Sequence, residues 1–202
     1  MNQTTILSIH YLPCIQWFRH LLFDEHVVLD QHEHFVKQTY RNRCVILSAN
    51  GPLALTIPVK KQEQKRPLHS IEIENDIAWQ KQHWEAIRSA YNSSPFFEHY
   101  EHHFYKFYHD EFKYLREFNL ELIRICLKIM KTEKELILGD AYLISAAVDV
   151  DLREVIHPKK KPDVDFKPYL QVFAGKFPFV SNLSIVDVIF NHGWDAINKI
   201  II

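Results

Sequence analysis

Asp24-Glu25-His26-Val27-Val28-Leu29-Asp30-Gln31-His32-Glu33-His34-Phe35-Val36-Lys37-Gln38-Thr39-Tyr40-Arg41-Asn42-Arg43-Cys44-Val45-Ile46-Leu47 reads as a strand, a polar loop and a second strand. The apolar run 27–29 delivers Asp30 to a strand end. The loop then carries Lys37, Arg41, Asn42 and Arg43 among further polar groups, and an apolar strand resumes over 43–47. Ionisable groups of both signs held between two core strands are what a substrate site needs, and also what a solvated loop contains.

Upstream, residues 4–9 are short, apolar and partly β-branched, which predicts a buried strand. His10-Tyr11-Leu12-Pro13 ends it. Residues 15–23 read as a helix, with Pro13 close to its first turn and Ile15, Phe18 and Leu22 on one face. This strand–turn–helix order puts His10 and Tyr11 at the carboxyl end of a strand, where ligands sit in open α/β sheets. His10 has two readings, a backbone hydrogen bond at the start of the helix or a place in a site.

Downstream, Asn50-Gly51 predicts a hairpin into a strand over 53–59, with Pro52 lengthening the turn beyond the minimal two residues. A mainly basic loop covers 60–67, and Ile71 and Ile73 mark a short strand. Asp76 is placed to cap a helix over 77–91, in which His83 shares a face with Trp79, Ala86, Ile87 and Ala90. Such a histidine is either a core residue or a functional one. Ser94 and Pro95 fit the start of an aromatic-rich helix over 96–108. There His99, His102 and His103 stand at metal-compatible spacing without the Glu of a His-Glu-x-x-His motif, and we expect no metal. A long helix over 110–131 and a weak strand over 136–138 follow. Residues 152–167 turn charged and proline-rich, which predicts an exposed excursion. Near the end, Ser184, Asp187 and Gly193 bracket a helix as N-cap, capping-box partner and stop.

The 202 residues suit one domain spanning 1–202. With only 4 Gly, no P-loop or dinucleotide fingerprint is present, and no cofactor is expected. A net charge of -1 gives no electrostatic case for nucleic acid. The 13 His make the chain cationic below about pH 6. Cys14, Cys44 and Cys126 lack paired spacing and read as free thiols. No basic leader precedes the first apolar run, and Glu121, Arg124 and Lys128 interrupt the most apolar helix. A cytoplasmic protein without a membrane span is the expectation. The fold class expected is α+β, a small mixed sheet from the N-terminal half packed by helices mainly from the C-terminal half.

Several pieces in order resemble the WbqC-like family. They are Tyr11-Leu12-Pro13, Val27-Val28-Leu29-Asp30, Tyr40-Arg41-Asn42-Arg43, Leu55-Thr56-Ile57-Pro58-Val59, Trp79 with His83, Ala90-Tyr91, Pro95-Phe96-Phe97, and Asn182-Leu183-Ser184-Ile185 with Asp187 and Asn191-x-Gly193. Ser8-Ile9-His10 departs from the Gln-Pro start of the family's first motif, so no glutamine ligand carries over. The resemblance implies an association with bacterial surface-polysaccharide (O-antigen) clusters. It also makes the Asp30–Arg43 loop, His83 and the segment with Asn182 and Asp187 candidates for one shared site.

Two functions are then open. One is a transferase acting on a small molecule, an activated, nucleotide-linked amino sugar or related precursor. Arg41 and Arg43 hold phosphates, Asn42 orients the sugar, and His10 or His83 acts as base with Asp30 fixing the imidazole. The other is a binding or assembly protein whose Tyr100, Tyr105, Phe107 and Tyr108 dock a sugar or a protein.

Overall fold

The computed structural model describes residues 3–61, 64–145, 148–162 and 164–200. Gln62 and Glu63 of the expected basic loop and Asp163 of the excursion lie outside these. The chain opens with β1 (Thr4–Ser8), α1 (Ile15–Phe23) and β2 (His26–Asp30), and β1 and β2 pair in parallel with Ile6 opposite Val28. The helix lies on its sheet because its apolar face, Ile15, Trp17, Phe18 and Leu21, is buried there, and Trp17 Nε1 donates to the Ser8 carbonyl at 2.8 Å.

Two very short strands complete this sheet. β5 (Ile137–Leu138) pairs with β2, and β6 (Val150–Asp151) pairs with β1, both in parallel. The order is β5-β2-β1-β6. From β1 the chain goes to β2 on one side, while β6 flanks it on the other. Strand order therefore reverses between β1 and β6, and a crevice opens there at the carboxyl ends of the strands.

A separate antiparallel hairpin joins β3 (Arg43–Ser48) to β4 (Gly51–Thr56). Ser48 pairs with Gly51, so the loop is the minimal two residues, shorter than expected. Pro52 is tolerated because its partner Leu47 turns its own N–H away, to the Tyr91 hydroxyl at 3.4 Å.

The remaining helices are α2 (Trp79–Tyr91), α3 (Phe97–Tyr105), α4 (Leu115–Ile129), α5 (Ile185–His192) and α6 (Ala196–Ile200). The α+β class is as expected. Apolar side chains from Leu7 in β1 to Ile200 in α6 form one cluster. The most enclosed helix is α5, buried from Ile185 to Asn191. Its first N–H, on Ile185, reaches the Pro13 carbonyl, and the Ser184 N–H reaches Val45, so it sits between the start of α1 and the hairpin.

Candidate functional site

At the end of β2, Asp30 is fully buried. Its Oδ1 accepts the His32 and Glu33 N–H groups at 2.8 and 3.0 Å, which bends the following loop back over the sheet edge. Its Oδ2 accepts Arg153 Nη1 at 2.6 Å. Arg153 lies two residues beyond β6, and its Nε and Nη2 reach the Asp151 carboxylate at 3.0 and 2.6 Å. Ser145 donates to the same carboxylate. The loop contributes a second ion pair. Arg41 is buried, donates from Nε and Nη2 to both oxygens of Glu33, and also reaches Glu154 Oε1 at 3.0 Å.

Over these groups lies a cleft of about 460 Å³ whose lining includes Glu33, Tyr142, Ser145, Asp151, Arg153 and Glu154. It lies where the reversal of strand order places a ligand crevice. Each of the two guanidiniums meets two carboxylates, Arg41 with Glu33 and Glu154 and Arg153 with Asp30 and Asp151, so acidic side chains outnumber basic ones. The Arg153 hydrogen bonds push Asp151 down to about 2. Burial pulls the Arg41 guanidinium down, but Glu33 and Glu154 outweigh it and raise its pKa. Burial raises Glu33, and the two-point contact with Arg41 opposes that rise without cancelling it.

His10, two residues beyond β1, is 1% exposed and packs between the rings of Trp17 and Tyr40. Neither ring nitrogen has a partner among the described residues. Burial, then Arg41 and His157, hold its pKa well below the ordinary value, so it is neutral. Asp30 does not orient it, because the Asp30 oxygens are taken by Arg153 and the loop amides.

The other expected site residues form different groups. Tyr11 and His83 make a buried triad with Tyr108: the Tyr11 hydroxyl is 3.0 Å from His83 Nδ1 and 2.9 Å from the Tyr108 hydroxyl. Burial pushes His83 down to about 4. Asn42 donates from Nδ2 to the Ile57 carbonyl, and Arg43 from Nε to Thr56 Oγ1, so both tie the hairpin together and face no cleft residue. Lys37 is exposed beside Val36, which lines the cleft.

Asn182 holds the start of α1, accepting the Gln16 N–H at 2.9 Å. Asp187 is fully buried and accepts hydrogen bonds from Tyr91, Tyr169 and Gln171 at 3.0, 2.6 and 3.1 Å. It is not the capping-box partner of Ser184, whose hydroxyl goes to the Leu12 carbonyl instead. The one shared site thus divides into three groups, and of these residues Asp30 and Arg41 lie directly behind the cleft, bonded to its lining residues Arg153, Glu33 and Glu154.

The residues missed are Ser145, Asp151, Arg153 and Glu154. The alternation Val148-Asp149-Val150-Asp151-Leu152 was the available signal, a strand period just before a charged stretch. Of the four aromatics expected as a docking surface, Tyr100, Phe107 and Tyr108 are buried and only Tyr105 is exposed. They are core because Phe118 of α4 packs against Phe107 and Tyr108. The His102 and His103 rings lie 4.0 Å apart, and among the described residues no three His, Cys, Asp or Glu side chains are grouped to hold a metal ion. No helix among them is long and apolar enough to cross a membrane.

Comparison with curated proteins and with solved structures finds no match. The model of the WbqC-like protein family matches residues 9–155. That span contains the whole carboxyl-edge network from Asp30 to Glu154, together with His10, and leaves out Asn182 and Asp187. Covering well over half of the 202 residues, it settles the kinship: the chain belongs to the WbqC-like protein family.

Proposed function

We propose that the protein is a transferase whose acceptor is an amine-bearing, hydroxyl-rich precursor of the surface-polysaccharide type, held in the carboxyl-edge cleft. The observation that carries this reading is the acidic balance of the cleft. Nε and Nη2 of Arg41 and all three nitrogens of the Arg153 guanidinium already point at protein oxygens, so most of the spare hydrogen-bonding capacity lies on the carboxylates. Such a wall suits an ammonium group and sugar hydroxyls, which donate, and disfavours a bare anion.

In this reading Asp151, ionised down to about pH 2, anchors the ammonium or a hydroxyl. Glu154 is 67% exposed at its side chain and takes the acceptor's proton. Tyr142, over the Arg153 guanidinium at 4.9 Å, offers a ring face to a sugar. Asp30 and Glu33 act as positioning residues, since each fixes a guanidinium rather than meeting the ligand.

The test is a thermal-shift panel on the wild type and Glu154→Gln, using neutral sugars, amino sugars, their N-acetyl forms and nucleotide-linked sugars. A ligand that binds only the folded state raises Tm. An amino sugar that raises it where the N-acetyl form does not, with the rise reduced in Glu154→Gln, supports the reading. Equal responses to the charged and acetylated forms, or silence throughout, overturn it.

A further inference from the structure

We infer that the cleft carries a second, basic subsite at its Glu154 rim, formed by Lys159, Lys160 and Lys161, which takes a phosphoryl group of the same ligand. The substrate class is then an amino sugar bearing a phosphate ester or a diphosphate. This rests on the reading of the acidic cleft given above and adds the other end of the molecule.

The lysine run is folded against the cleft wall. Lys160 Nζ donates to the backbone carbonyl of Glu154 at 2.7 Å, and the Glu154 side chain is itself a lining group that meets Arg41. A turn fixes the run there, with the Lys160 N–H on the His157 carbonyl at 3.0 Å and the Lys159 N–H on His157 Nδ1 at 3.1 Å. All three lysines are exposed, and none makes an ion pair among the described residues.

The arginines cannot supply this subsite. A phosphate on Arg41 or Arg153 would strip a buried carboxylate of its partner, and an unpaired buried charge is strongly unfavourable. The lysines have no buried carboxylate partner to lose, and Lys160 keeps two N–H donors beyond the one on the Glu154 carbonyl. An acidic wall next to a basic rim forms a dipolar site, which favours a ligand carrying an ammonium and a phosphate over one carrying either alone. The run lies just past residue 155, where the family match ends, so it is a feature of this chain rather than of the matched region.

The experiment is titration calorimetry on the full chain with glucosamine, glucosamine 1-phosphate, N-acetylglucosamine 1-phosphate and UDP-glucosamine. It is repeated on the combined Lys159→Ala, Lys160→Ala, Lys161→Ala variant and on Glu154→Gln. Three exposed cation contacts are expected to make glucosamine 1-phosphate bind about tenfold tighter than glucosamine, an increment that shrinks as salt rises. The lysine variant should bring the phosphate's affinity down to that of glucosamine. The order of glucosamine 1-phosphate and UDP-glucosamine then says whether the phosphoryl group is a monoester or a nucleotide diphosphate.

If glucosamine binds and its phosphate gains nothing, or the gain survives in the lysine variant, the subsite falls and the acidic-cleft reading stands. If N-acetylglucosamine 1-phosphate binds as well as glucosamine 1-phosphate and only the lysine variant weakens both, the subsite stands and the acidic-cleft reading falls. If none of the four ligands binds, both fall.

Discussion

At Asp30 the carboxylate has no contact with solvent, and its charge is met by one guanidinium and two amides. Removing Arg153 leaves that charge short of its one ionic partner among the described residues. Arg153→Ala is therefore expected to destabilise the protein by about 3–5 kcal/mol. Asp30→Asn added to it should cost much less than the sum of the two single changes. Urea denaturation of the four proteins checks this, and a loss under about 1 kcal/mol for Arg153→Ala alone would show the pair to be dispensable. The buried imidazoles set a second expectation. His83 titrates at about 4 in the folded state and at 6.5 when unfolded. The unfolded chain thus binds a proton first as pH falls. The stability from neutral His83 is complete above pH 6.5 and is lost as pH falls through about 4, with His10 acting in the same direction. His83→Gln should flatten the fall in the urea midpoint between pH 6.5 and 4. An unchanged slope would mean that this imidazole is not held neutral.

The element scale separates two glycines with similar backbones. Gly51 in the hairpin has φ +104°, with open space where a Cβ would be. Gly193, at the end of α5, has φ +62°, and a Cβ there would meet the Phe96 ring at 2.8 Å. Gly51→Ala carries only backbone strain, about 1–2 kcal/mol, whereas Gly193→Ala adds a clash of a further ~1–3 kcal/mol. The Phe96→Ala background should remove that difference in Tm, and if it does not the clash is the wrong cause. Both glycines were legible in the sequence, since a turn and a helix stop are local demands. The first turns of the helices were not. α4 begins at Leu115 rather than at 110 because the backbone before it is already engaged: Lys113 and Phe112 give their carbonyls to Ile73 and Asn75. Ser94 was read as a cap, but its hydroxyl goes back to the Tyr91 carbonyl and closes α2. In each case a partner distant in sequence, or on the preceding helix, outcompetes the local pattern.

For the whole molecule the same limit hid half of the site. Asp30 and the polar loop after it were legible as a strand end with its charges. Arg153 was not, because β6 is two residues long and its meaning comes from pairing with β1. A stretch read as an exposed excursion therefore holds a buried guanidinium. The tail poses the converse question, since the family match stops at residue 155 and α5 lies beyond it. Ile185, Val186, Val188, Ile189 and Phe190 are each 0% exposed. Burying each contributes about 1.5–3 kcal/mol, so together they contribute on the order of 10 kcal/mol, as much as the net stability of a typical domain. The segment also satisfies backbone groups elsewhere: Ile185 donates to Pro13, Ser184 to Val45, and Phe96 donates to the Phe190 carbonyl. A fragment ending at residue 155 is thus expected to lack a cooperative urea transition and to bind a dye specific for exposed apolar surface, although it keeps the whole carboxyl-edge network. Near-UV circular dichroism and urea titration of that fragment decide the matter. A cooperative transition close to that of the full chain would mean that the matched region folds alone and that α5 only covers it. Loss of the transition would make α5 part of the core that holds β1, α1 and the hairpin in register, and with them the two strand ends on which the cleft is built.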